Sequence, residues 1–179
     1  DKAVAECIYT GIVHDTGVYK YSCTSRRTMD IAGRMMEMGI DYSSIIDNSF
    51  YKKTYIQNQI LGRALLESVL FYDGKCIFSS VTIDEMNFYG VTGKELGGII
   101  EQLRLTDGVE VAIFLYETDE NQYKVSLRSK KEIDVARIAA EFGGGGHIRA
   151  AGFSAKGKVH AIVNKIGELI EQQYNEDNA

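Results

Sequence analysis

Proline is absent from this chain of 179 residues, and cysteine and histidine are scarce. Without proline there is no stiff linker to mark a domain boundary, so boundaries must be read from changes of pattern. The three cysteines, Cys7, Cys23 and Cys76, are odd in number and scattered, with no C-x-x-C spacing. That excludes a disulfide framework or a zinc site and predicts reduced, buried thiols. The three histidines, His14, His147 and His160, are too few and too dispersed to build a metal centre with the available aspartates. No apolar run approaches membrane-spanning length, and the first residues do not read as a signal peptide. No membrane partner is therefore expected, and the location is expected to be cytoplasmic. Basic excess is lacking too: the net charge is −5 and the pI about 5.3. This excludes long duplex DNA, which needs a broad basic surface, but not a short anionic ligand in a local basic pocket.

A hydrophobic content of 45% supports a substantial core. Helical spacing runs through residues 3–12 and leads to a polar turn, His14-Asp15-Thr16-Gly17. Ser25 is a predicted N-cap for a helix over 26–38, with Gly39 at its C-terminus and Met35, Met36 and Met38 as core filling. Residues 42–71 read as mostly helical. The turn Asp73-Gly74 leads to a strand over 75–83, and the change from helices to strands near residue 70 marks the expected boundary. Short helices follow at 84–89 and 92–105. A central strand over 109–117 and an alternating strand over 123–128 form a predicted hairpin. A helix over 133–142, an edge strand from Phe153 and an amphipathic last helix complete the pattern, with residues 175–179 expected to fray. The fold class expected is α/β: a C-terminal domain with a mixed sheet, preceded by a mainly helical segment.

Two constellations carry chemistry. The first is Phe142-Gly143-Gly144-Gly145-Gly146-His147 with Arg149-Ala150-Ala151-Gly152. A glycine run lets backbone amides approach a ligand without a Cβ in the way. Guanidinium groups bind phosphate bidentately, and Arg128, at the end of an alternating strand, is the best-placed candidate. Arg104 and Arg149 are weaker ones. Lys130, Lys131 and Arg137 read as solvated charges. The second is Asp15, at an element end, where a carboxylate either holds a hard cation or simply caps the bend.

Together, Val125-Ser126-Leu127-Arg128-Ser129, the Gly-Gly-Gly-Gly-His run and Ala150-Ala151-Gly152 resemble the C-terminal substrate-binding domain of the DHH phosphoesterases. Val13-His14-Asp15-Thr16-Gly17, with Thr24-Ser25-Arg26-Arg27-Thr28, resembles the last metal motif of that family's N-terminal domain. The resemblance covers nearly the whole chain. It is greatest to the RecJ-related branch of bifunctional oligoribonucleases and 3′-phosphoadenosine-5′-phosphate phosphatases. The family's Asp-x-Asp and Asp-His-His motifs do not occur, so the chain reads as part of a longer protein.

The resemblance implies a remnant of the catalytic domain over 1–45, a linker helix over 46–72 and a substrate-binding domain over 73–179. It implies two Mn²⁺ ions in the complete enzyme, with Asp15 as one metal ligand. Arg128 and His147 would contact substrate, Gly144, Gly145 and Gly146 would donate amides, and Arg104 and Arg149 would assist. The implied ligands are short single-stranded RNA or a mononucleotide bisphosphate, and a homodimer is compatible with the family. These residues alone would bind nucleotide and hydrolyse nothing. Two alternatives stay open: a cyclic-dinucleotide phosphodiesterase, where Asn-Ala-Ala is expected after the histidine, and a non-catalytic nucleotide- or RNA-binding module. The related domain of alanyl-tRNA synthetases usually carries arginine at the position of His147.

Overall fold

A computed structural model describes residues 1–177, which divide into two compact units, 1–54 and 55–177. In the first, α1 (Lys2–Thr16) buries Ala5, Tyr9 and Val13, a stripe at four-residue spacing. It packs on Ala32 of α2 (Arg26–Glu37), on Ile40, and on partly buried residues of α3 (Tyr42–Ile46) and a π-helical turn (Asp47–Tyr51). Ser25 caps α2 as expected, in a reciprocal box with Thr28. Met35 and Met36 join this core, whereas Met38 is exposed.

The second unit is built on a six-stranded mixed sheet of order β1-β2-β3-β4-β6-β5. The strands are β1 (Val69–Phe71), β2 (Cys76–Val81), β3 (Val111–Asp119), β4 (Gln122–Ser129), β5 (Gly145–His147) and β6 (Ala150–Lys156). Only β2 and β3 are parallel. One face is covered by α7 (Val135–Glu141) and α8 (Val159–Asp177), which meet Val111, Ile113, Leu115, Val125, Leu127 and Phe153. The other face is covered by α4 (Tyr55–Leu66), α5 (Ile83–Tyr89) and α6 (Ile99–Arg104), which meet Ile77, Val81, Ala112 and Phe114. Both cores are mainly aliphatic with a few aromatic rings, as expected when helices sandwich a sheet.

Several expectations need correction. His14, Asp15 and Thr16 belong to the last turn of α1, which ends at Gly17 in the left-handed conformation. The Thr16 hydroxyl donates to the Ile12 carbonyl and so stays within the helical pattern. The stretch 46–72 is not one helix: a π turn, an extended link, α4 and β1 share it. Its β-branched and aromatic end, Val69-Leu70-Phe71, pairs antiparallel with β2. The helix expected over 92–105 shrinks to Ile99–Arg104, because Gly98 at φ +96° interrupts the helical backbone. The strand containing Phe153 is internal, paired with β4 on one side and β5 on the other. Only Cys76 is a buried thiol; Cys7 and Cys23 are exposed. The last helix continues to Asp177, through residues expected to fray, while Asn178 and Ala179 lie outside the described residues.

Candidate functional site

The period of two along β4 decides the site. Tyr123, Val125, Leu127 and Ser129 point into the core under α7 and α8, so Lys124, Ser126 and Arg128 point to the opposite face. The helices on that face cover β2 and β3, where Ile77, Val81, Ala112 and Phe114 are buried. α6 also reaches Arg128 at the end of β4, and beyond it, over the rest of β4, β6 and β5, the same face is open. Its side chains there are small or polar: Ser126, Ala150 and Gly152 are half-buried, and Lys124, Ser154, Gly145 and His147 are exposed. A sheet face with no apolar cover and no large apolar side chains is a platform for something other than a core.

Strand register places the candidate residues on that platform. His147 pairs with Ala150, which pairs with Arg128, so imidazole and guanidinium stand in one cross-strand row. Two strand spacings separate their backbones, about 10 Å, and only the Ala150 methyl rises between them. The adjacent row is Gly145, Gly152 and Ser126. The imidazole of His147 has no hydrogen-bond partner among the described residues.

The glycine run is the edge strand β5 and its approach, not a free loop. Two of its members are required by the fold. A Cβ on Gly144 would stand 2.4 Å from the Gly152 carbonyl oxygen and from the Phe153 Cβ. A Cβ on Gly146 would stand 2.5 Å from the Ala150 oxygen, on a backbone already at φ +150°. Beneath them Phe142 and Phe153 stack with centroids 4.2 Å apart, fixing the hairpin to the core. Gly145 differs: a Cβ there meets nothing within 4 Å and its φ is ordinary. The fold has no need of glycine at 145, and that position faces the platform.

The amide of Gly144 donates to the Ala139 carbonyl at 2.9 Å, closing the end of α7, so it is not a free donor as the sequence suggested. Arg149 donates through Nη1 to the Ile133 carbonyl at 2.7 Å and braces the link into α7. Arg128 and Arg104 are brought together by a residue the sequence did not flag. Glu101 accepts from Arg128 Nε at 2.7 Å through Oε1 and from Arg104 Nε at 2.9 Å through Oε2. Burial would raise the Glu101 carboxyl, but hydrogen bonds from Arg128 and Arg104, with their charges, hold it below the usual carboxylate range. Along the chain Glu101 is an ordinary i,i+3 helix partner of Arg104; its tie to β4 spans 27 positions and leaves no local signal.

Asp15 lies in the first unit and the other candidates in the second. It is exposed at the end of α1, where Val18 and Tyr19 follow Gly17 in the left-handed region at φ 55° and 65°. Such backbone costs about 1–2 kcal/mol per residue. Partial burial of both side chains and an amide bond from Tyr19 to the Thr16 hydroxyl offset it. Among the described residues no three His, Cys, Asp or Glu side chains gather as a metal site. Asp15 is a single carboxylate there, short of the several oxygen ligands a divalent ion takes. No described helix is long and apolar enough to cross a membrane.

Comparison with known proteins agrees with this architecture. The DHHA1 domain model matches residues 73–172, more than half of the chain. The chain is 26% identical over 155 residues to the bifunctional oligoribonuclease and PAP phosphatase NrnA of Thermus thermophilus, covering 86% of this chain and 45% of that protein. It is 27% identical over 150 residues to the protein of the same name from Bacillus subtilis, covering 84% and 47%. It thus spans about half the length of these relatives. A crystal structure of an exopolyphosphatase-related protein from Bacteroides fragilis superposes with a TM-score of 0.88 at 28% identity, covering 96% of this chain and 51% of that one. The chain belongs to the DHH phosphoesterase family, and residues 73–172 are its DHHA1 domain.

Proposed function

We propose that the open face of β4, β6 and β5 holds the phosphate and nucleotide end of a short substrate for a metal-dependent phosphoesterase. The substrates on this reading are short oligoribonucleotides and 3′-phosphoadenosine-5′-phosphate, consistent with the names of the relatives. One observation carries the reading: Arg128 and His147 stand in one row across a floor of Ala150, Gly152 and Gly145. A guanidinium and an imidazole on one side of a bare backbone floor supply charge, hydrogen bonds and space for a flat base or a phosphate.

The chemistry assigned to these residues is binding and orientation. Arg128 fixes a phosphate oxygen, His147 donates from the far side, and Gly145 allows the ligand to lie against the strand. Asp15 enters the reading as a single metal-ligating carboxylate that acts only with further ligands the described residues do not supply. Two Mn²⁺ ions, held by Asp15 together with those further ligands, would supply the hydrolytic chemistry of the complete enzyme.

Isothermal calorimetry of the 179-residue chain with 3′-phosphoadenosine-5′-phosphate tests it. Arg128→Ala and His147→Ala should each weaken binding about ten- to hundredfold, the loss of one charge-assisted hydrogen bond. Unchanged affinity in both variants overturns the reading.

A further inference from the structure

Glu101 has a second consequence for the open face. We propose that Glu101 is a positioning residue that ties Arg104 and Arg128 into one anion-binding pair, and that it stays ion-paired to both while phosphate is bound. This rests on the nucleotide-binding reading of the face and adds two residues to it.

The connection starts on α6. Glu101 and Arg104 stand three positions apart and share one side of the helix. From there Glu101 reaches Arg128 on β4. Both guanidinium groups donate through Nε, the inner nitrogen. Arg128 also gives Nη1 to the Leu127 carbonyl. Its Nη2, and both terminal nitrogens of Arg104, have no partner among the described residues. The carboxylate therefore grips the stems of two forks and leaves their outer ends available.

The three side chains are 38%, 23% and 29% exposed for Glu101, Arg104 and Arg128, so water screens them only in part. Two guanidinium groups that close would push each other apart without a carboxylate between them. With it, the cluster keeps one net positive charge and a fixed geometry. The rival arrangement has Glu101 standing where the ligand's anion belongs, to be displaced on binding. The use of Nε on both arginines favours positioning, because displacement is unnecessary for phosphate to reach the Nη atoms.

The test uses the full chain and 3′-phosphoadenosine-5′-phosphate as probe. Calorimetry on wild type, Glu101→Gln, Arg128→Ala and the double variant gives a thermodynamic cycle. Glu101→Gln should weaken binding about tenfold, and should cost clearly less once Arg128 is alanine, because only the tie to Arg104 is then left to lose. A merely structural role would cost the same in both backgrounds, and masking would make Glu101→Gln bind tighter; either result overturns the proposal. In wild type, the Arg128 Nε–H resonance in a ¹H–¹⁵N spectrum should stay hydrogen-bonded at saturating ligand. Its release overturns the proposal whether or not Glu101→Gln folds. A wild-type chain that does not bind the probe overturns the reading of the face, whereas binding with an indifferent Glu101→Gln overturns this inference alone.

Discussion

Gly145→Ala separates what the glycine run does for the fold from what it does for a ligand. At this position an added Cβ meets nothing within 4 Å, and the backbone is not in the left-handed region. Alanine should therefore fold, and by restricting the unfolded chain it should add about 0.4–1 kcal/mol of stability. The methyl rises on the platform beside Gly152 and Ser126, where the ligand is proposed to lie. Forcing a bound group off a surface by one methyl costs about 1–3 kcal/mol, taking overpacking of a core as the guide. That corresponds to roughly ten- to hundredfold in affinity. Urea unfolding and calorimetric titration on the same preparation measure both numbers. A variant that is as stable as wild type or more so, yet loses affinity for 3′-phosphoadenosine-5′-phosphate, is the expected result. Unchanged stability with unchanged affinity would refute the reasoning, leaving the run as a purely structural hairpin.

Neighbouring positions should behave in the opposite way. Gly144→Ala and Gly146→Ala each drive a Cβ to 2.4–2.5 Å from backbone oxygen, so each should lose about 1–3 kcal/mol in the same urea experiment. Acid should weaken the second unit in part through Glu101. Its carboxyl titrates lower in the folded chain than in the unfolded one. Its contribution is therefore present above the unfolded value and lost as pH falls through the folded one, and Glu101→Gln should flatten that part of the stability–pH curve. Native thiol titration should find Cys7 and Cys23 but not Cys76, whose thiol is pushed up to about 12 by burial and the nearby Glu110 charge. Incubated with Mn²⁺ and a dinucleotide, the 179-residue chain should show no turnover; clear Mn²⁺-dependent hydrolysis would contradict the role assigned to it.

Elements with a strong local signature were legible in the sequence. Ser25 caps its helix, the Asp119-Glu120-Asn121 turn joins β3 to β4, and the stripe Ile162, Val163, Ile166, Ile170 is the buried side of α8. Features set by distant partners were not. The glycine run reads locally as a loop, yet close pairing with β6 makes it a strand, a contact that only the absence of Cβ atoms permits. His14 to Thr16 are polar and look like a turn, but helix α1 continues through them before the left-handed residues. Arg128 and His147, the candidates for the proposed site, stand out in the sequence because alternation and the glycine run mark them. Their common row could not be read without the register of β5, β6 and β4. Glu101 escaped because its partner in the sheet is far along the chain, while its helical partner gives it an ordinary appearance.

The most direct measurement of the central claim is a titration of isotope-labelled chain with 3′-phosphoadenosine-5′-phosphate, followed by amide and side-chain chemical shifts. Binding on the open face predicts that Ser126, Arg128, Gly145, His147 and Gly152 shift together and saturate with one affinity. Buried residues of the helices on the opposite face, such as Ile138 of α7 and Ile166 of α8, should stay still. Shifts confined to the covered side of the sheet, or none at saturating nucleotide, would contradict it.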